Sequence, residues 1–468
     1  MSFKTIITIG ITLLFINTYA QNTLSYISKE DLNRDFDFLV SAITETHPDP
    51  YSVISKDKFE SQVLGIKKNF KDSLTLKKYY QLISPFVASL QDGHTSLKFP
   101  GRKLFGASDN LFPFVVKSNI EKPYLVVTEN LSDDYLQIPV GAEILTINRA
   151  SAEEIIQKII ENTSGESRAY RLKMGTDFNA FAFVFGAFYD LEGTVHIKYK
   201  FENEVFEKVI PTVRFSNLME IVKSKQRKSA DKTTVIEIPD FSLVIKPEIK
   251  TAILEIRYFG DDVKYKDFLK ESFKKINEQK IKRVVIDIRE NGGGNSSSGD
   301  ELLKYLAKQP FRQFDQTLVK YSQLQKDVYE GYCKNDVQYC TTYDYIRTKN
   351  NGDIETFLEK GLISPYGKSE RFSGEVYLLT STRTFSSAMN FAQAFKHYKI
   401  GKIIGEETGG RVVSYGDRIS VDLPVSRIPL SISTKKFYTV GTSEKDMHGV
   451  EVNVEVRAEK ALDYILGK

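Results

Sequence analysis

The sequence predicts a mixed α/β (α+β) chain, and three observations carry that prediction. Apolar residues recur at helical spacing from Ser28 to about Leu90; short strands dominate from Leu111 to about Val213; strands alternate with amphipathic helices from Thr251 onward. A length of 468 residues allows two or three domains of roughly 150 residues each. A hydrophobic share of 41% beside 27% charged residues is that of a globular chain rather than a disordered one.

Residues 1–20 read as a secretory signal. Lys4 supplies the positive start, Ile6 to Ile16 the apolar stretch, and Asn17 to Ala20 a polar end with a small residue at the cut, leaving Gln21 first in the mature chain. The apolar stretch is short for a membrane span, and no later run reaches about 18 apolar residues. The expectation is an exported protein, periplasmic or extracellular, with no stable membrane span.

Residues 21–100 form a helical lead domain. Leu32, Phe36, Leu39 and Ile43 mark one helix, ended by His47-Pro48; Phe59, Val63, Ile66 and Phe70 mark a second, and Tyr79 to Leu90 a third. The domain closes in the turn Asp92-Gly93-His94-Thr95. Residues 105–213 carry strands at Phe112–Val116, Tyr124–Val127, Ala142–Ile147 and Thr194–Phe201, with a helix at Ala152–Ile160.

The segment 214–468 holds βαβ units. Thr251–Phe259 is a strand, Val263–Asn277 a helix, and Arg283–Ile288 a strand apolar enough to be central and parallel. A helix at Gly299–Ala307 comes after the turn that contains Gly292, Gly293 and Gly294. Residues 309–372 interrupt this rhythm as a Tyr-rich surface insertion. Beyond it come the strand Val376–Leu379, a helix through Phe395, and strands at Lys402–Gly405, Ile419–Leu423 and Ile428–Ile432.

Lys+Arg number 65 against 61 Asp+Glu, a net charge of +4 without a basic stripe, which argues against nucleic acid as a partner. The only cysteines, Cys333 and Cys340, read as a disulfide closing a small loop in an exported chain. They lack further ligands nearby for a metal site, and neither metal nor cofactor is expected.

The stretch Glu375 to Phe395 suggests chemistry. A Ser/Thr-rich elbow between strand and helix puts Ser386 or Ser387 on the first helical turn, where free N–H groups and the helix dipole favour developing negative charge. The plainer reading makes Thr384 an N-cap and the serines helix-start partners. A serine nucleophile needs a base, and the chain has five histidines. His47 ends a helix, His196 lies in an alternating strand, His397 sits at a helix C-terminus and His448 in a polar loop. His94 alone occupies a tight turn at a domain junction. The glycine turn offers backbone N–H groups for an oxyanion. For the carboxylate, Asp446, Glu444, Glu406 and Glu407 stay open.

Together, D-G-H-T at 92–95, V-V-I-D-I-R-E-N-G-G-G at 284–294, T-F-S-S-A at 384–388, G-E-E-T-G-G at 405–410 and D-M-H-G-V at 446–450 resemble, in this order, the C-terminal processing (tail-specific) serine peptidases and the related tricorn core. The segment Pro139 to Asn148 resembles the hairpin of PDZ domains. The resemblance implies a crotonase-like β/β/α catalytic core with a helical N-terminal domain and a PDZ-like module, acting on peptide or protein substrates. It implies Ser386 as nucleophile, and Ser387 with Gly292 or Gly293 as the oxyanion hole. The Ser–Lys branch has its lysine where this chain has Arg411, a side chain too basic to accept a proton. That points to the tricorn-like branch, with His94 as base and Asp446 as its acid; Arg411 is left as a candidate grip on a substrate carboxylate. Two other readings stand beside this one: a non-catalytic binder of peptides or apolar ligands, and a Ser–Lys hydrolase using a distant lysine.

Overall fold

The computed structural model describes residues 26–119, 124–131, 138–177, 180–221, 240–260 and 263–467, so the secretory-signal reading lies outside the described residues. The chain is a mixed α/β protein. Its lead helices run Lys29–Thr46, Lys56–Lys68 and Leu76–Ala88, and each starts on a hydroxyl (Ser28, Ser55, Thr75) that accepts from the amide three residues on. The first ends at His47, whose extended ψ of 130° is what a succeeding proline demands. Leu32, Phe36, Leu39, Phe59, Ile83 and Phe86 bury the shared face.

Next in the chain is an antiparallel sheet, ordered Glu204–Pro211, Thr194–Phe201, Glu143–Ile147, Tyr124–Asn130, Phe114–Asn119. The Ala152–Asn162 helix covers it, begun by a reciprocal capping box between Ser151 and Glu154. Two helices here, Arg168–Thr176 and Ala180–Phe188, were not foreseen from the sequence. The second reads A-F-A-F-V-F-G-A-F, apolar all round, so no period stands out. It is apolar on two sides because it has two neighbours: Phe181 and Phe185 enter the core of this sheet, while Ala182 and Ala187 enter that of the lead helices.

The central sheet is ordered Phe241–Lys246, Thr251–Ile256, Arg283–Asp287, Glu375–Thr380, Lys402–Gly405, Val454–Glu455; the first pairing is antiparallel and the others parallel. Alternation splits its side chains. Ala252, Leu254, Val284, Ile286 and Leu378 pack under the helices Val263–Glu278, Ser296–Leu306 and Ser387–His397. Ile253, Val285, Leu379 and Ile404 pack on the other face against Ala461 of the C-terminal helix. With helices on both faces, Arg283–Asp287 is the buried parallel strand its composition announced.

A second sheet is ordered Ile354–Leu358, Phe314–Lys320, Pro429–Thr439, Val413–Asp422, and Ser96–Leu97 adds to its Pro429–Thr439 strand. Phe314–Lys320 falls inside the stretch read as a surface insertion. That reading needs correction, because the strand hydrogen-bonds to Pro429–Thr439 as part of the core framework. The helices beyond this strand, Gln323–Asn335 and Cys340–Ile346, are peripheral and are tied by the Cys333–Cys340 disulfide. Among the described residues no helix is long and apolar enough to cross a membrane.

Candidate active site

The site lies where the C-terminal ends of the central strands meet the second sheet and the Asp92–Thr95 turn, the usual place for a site in an open parallel sheet. At the end of Glu375–Thr380 the chain turns sharply before the Ser387–His397 helix. Thr384 holds this turn: its hydroxyl accepts from Ser381 N at 3.0 Å and donates to Ile288 O at 2.9 Å. The Phe385 amide donates to Asn291 O at 3.2 Å. Thr384 therefore braces the elbow and does not cap the helix.

Ser386 takes the N-cap position with φ 53° and ψ −129°, and its side chain makes no cap hydrogen bond. A positive φ on a residue with a Cβ is strained and persists only where the surroundings impose it, which is common for nucleophiles on strand-to-helix elbows. The strain aims the hydroxyl away from the helix start. Its Oγ lies 3.1 Å from His94 Nε2. The neighbouring serine plays a different part, with the Ser387 hydroxyl donating to Gly294 O at 2.6 Å.

His94 is held from three sides. Its amide donates to Asp92 Oδ1 at 2.8 Å, the Thr95 hydroxyl accepts from Ser433 N at 3.0 Å, and the imidazole stacks on the Phe385 ring at 4.9 Å between centroids. Burial pushes the imidazole below its ordinary 6.5, against the pull of the Asp92 charge. A base so placed is neutral at physiological pH. Its Nδ1 is buried without a hydrogen-bond partner, 3.8 Å from Asp92 Oδ1.

Asp92 is fully buried. Burial alone would raise its carboxyl, but the His47 hydrogen bond, the charges of His47 and His94, and the Ser433 hydroxyl hold it well below the usual carboxylate range. Its Oδ2 meets His47 Nε2 at 3.2 Å and the Ser433 hydroxyl at 2.6 Å. Because His47 Nδ1 accepts from Asp49 N at 3.1 Å, its proton resides on Nε2 and points at Asp92. His47, read from sequence as a helix terminator, thus also holds the carboxylate beside His94.

Glu166, at the start of the unforeseen Arg168–Thr176 region, is the other acid here. It is 2% exposed and neither carboxylate oxygen has a hydrogen-bond partner; burial, then the Asp92 charge, pushes its carboxyl up to about 8. At neutral pH it is largely protonated. Asp92, His94 and Glu166 each present an atom within 4.8 Å of the others, a spacing that fits a metal ion. A metal on Nδ1 would leave the proton on Nε2, facing Ser386, so His94 could not then accept the serine proton. No signal in the sequence marked Glu166, because its partners lie some 70 positions upstream and some 250 downstream in the chain.

The fold supplies a pH test. Glu166 is held near 8 against an ordinary 4.5, so its contribution to stability is complete below about 4.5 and is lost as pH rises to about 8. Glu166→Gln is expected to remove this slope, so that denaturant unfolding at pH 5 and pH 8.5 differs by roughly 3–5 kcal/mol less than in wild type.

Several expected site residues are placed differently. Asp446, expected beside the histidine, accepts from Ser443 N at 2.7 Å and pairs with His448 Nε2 at 3.7 Å. It is half-buried in its own loop, and the acids at His94 are Asp92 and Glu166. Arg411, expected to grip substrate, donates from Nη2 to Gln91 Oε1 at 2.7 Å and Glu166 O at 2.8 Å. It ties the two loops that carry the acids. The Gly293 amide is also engaged, donating to Asn291 Oδ1 at 2.8 Å. Gly293 instead contributes space: at φ +113° its absent Cβ would sit 2.7 Å from Ser386 Cβ. Among the described residues the amides of Gly292 and Ser387 make no hydrogen bond, as an oxyanion site requires.

The fold is shared with solved structures. The chain superposes on the structure titled mature CPAF with a TM-score of 0.63 at 12% identity, covering 92% of this chain and 94% of that one. The structure titled mature CPAF complexed with lactacystin gives 0.64 at 13% identity, covering 94% and 97%. These likenesses show a shared fold. No curated protein sequence matches. The family model that matches is that of peptidase family S41, and residues 232–456 of this chain are similar to it.

Proposed function

We propose that the chain is an exported serine peptidase in which Ser386 is the nucleophile and His94 the general base. The observation that carries this is the 3.1 Å approach of Ser386 Oγ to His94 Nε2, made by residues 292 positions apart. In acylation His94 Nε2 takes the hydroxyl proton as Oγ attacks the substrate carbonyl. The Gly292 and Ser387 amides receive the oxyanion, and His94 then passes its proton to the departing amine. Water repeats the sequence to release the acid. Asp92, ionised and fixed by His47 and Ser433, stabilises the imidazolium, and its 3.8 Å gap tightens as charge develops on His94.

The central sheet with its helices corresponds in this reading to a crotonase-like core, and the 105–213 segment to a PDZ-like module. Export is supported by the first twenty residues and by the disulfide. The experiment is labelling with a serine-directed fluorophosphonate. Wild type should be labelled and Ser386→Ala should not; equal labelling of both, or of neither, would leave the non-catalytic binder as the better account.

A further inference from the structure

Beside the imidazole lies a cavity of about 310 Å³ between the lead helices and the Arg168–Thr176 and Ala180–Phe188 helices. Its volume is at the lower end of what small-ligand pockets enclose, about 300–1,000 Å³. Resting on the peptidase reading above, we propose that it receives one large uncharged side chain of the substrate, aromatic or long aliphatic, next to the scissile bond.

Position is the first argument. Gly93 and Ser96, which flank His94 and Thr95, both line the cavity, and so does Tyr170. The Tyr170 ring stacks on Phe385 at 4.5 Å, and Phe385 stacks on His94 at 4.9 Å. Cavity and base are thus separated by one ring. Gly93 keeps this wall thin, since a Cβ there would lie 2.6 Å from the Phe385 ring.

Chemistry is the second. Tyr80, Phe99, Phe183 and Phe188 supply aromatic walls, and none of the lining residues carries a charge. A lysine or aspartate side chain placed here would be desolvated without a counter-ion. Among the polar lining groups, Ser84 Oγ donates to Asn162 Oδ1 at 2.8 Å, and Thr163 Oγ1 donates to Ile159 O at 2.8 Å. With aromatic walls and no charge in the lining, an uncharged, largely apolar body is what the walls complement.

The test uses the full chain and internally quenched peptides that differ at one position, with Phe, Leu, Lys, Asp or Gly placed in turn at each site flanking the cut. At one of these positions wild type should favour Phe or Leu over Lys and Asp by about 100-fold in kcat/KM, within the range a pocket achieves per methylene or more. Val184 lines the cavity. Val184→Trp should reduce cleavage of the Phe peptide by at least about 10-fold. Val184→Asp should raise cleavage of the Lys peptide, a gain that misfolding cannot produce. A flat side-chain profile, or a preference moved by neither variant, overturns the cavity assignment while fluorophosphonate labelling of Ser386 still stands. Absence of labelling overturns the peptidase reading itself.

Discussion

Ser386→Ala is expected to lower kcat on a cleavable peptide by about 10⁶-fold with KM little changed, the size of effect seen when the nucleophile of a preorganised serine site is removed. Alanine keeps the Cβ and therefore the strain at φ 53°, so stability should hardly move. Ser386→Gly makes the contrast. Glycine relaxes the positive φ and should gain about 1 kcal/mol of stability, while losing activity to the same extent. A parallel set of unfolding and kinetic measurements would show the two properties separating. If Ser386→Ala retained more than a few per cent of activity, the nucleophile would have to be sought elsewhere.

His94→Gln carries the second large effect. Glutamine keeps a polar group of similar reach but cannot take the serine proton, and kcat should fall by about 10⁶-fold. Wild-type kcat/KM should lose activity on the acid side with a limb below 6.5, since burial depresses this imidazole. A Ser–Lys peptidase predicts the opposite, with activity kept in His94→Gln and no such limb. Asp92→Asn should keep the turn but remove the charge that supports the imidazolium, at a cost of about 10⁴-fold. Asp446→Asn, by contrast, should leave kcat nearly unchanged, because its partners are Ser443 and His448.

Much of the framework was legible because it obeys local rules. The lead helices announce themselves through 3.6-residue periodicity, hydroxyl caps and His47-Pro48, and the central strands through unbroken apolar runs. The Ala180–Phe188 helix was missed because burial on two sides erases period. The strand Phe314–Lys320 was assigned to an insertion because its partners, Pro429–Thr439, lie more than 100 residues downstream.

The sequence by itself determined the mixed α/β class, the order of motifs that resembles the C-terminal processing peptidases, and the candidacy of Ser386 and His94, since an elbow and a turn are local structures with local signatures. Which acids stand behind the histidine, what Arg411 binds and which glycine amide is free were decided only in three dimensions. Asp92, Glu166, Arg411 and Ser433 come from segments that touch only after the lead helices, the strand-rich segment and both sheets have packed. Electrostatic neighbourhood depends on distance in space, and no spacing along the chain encodes it.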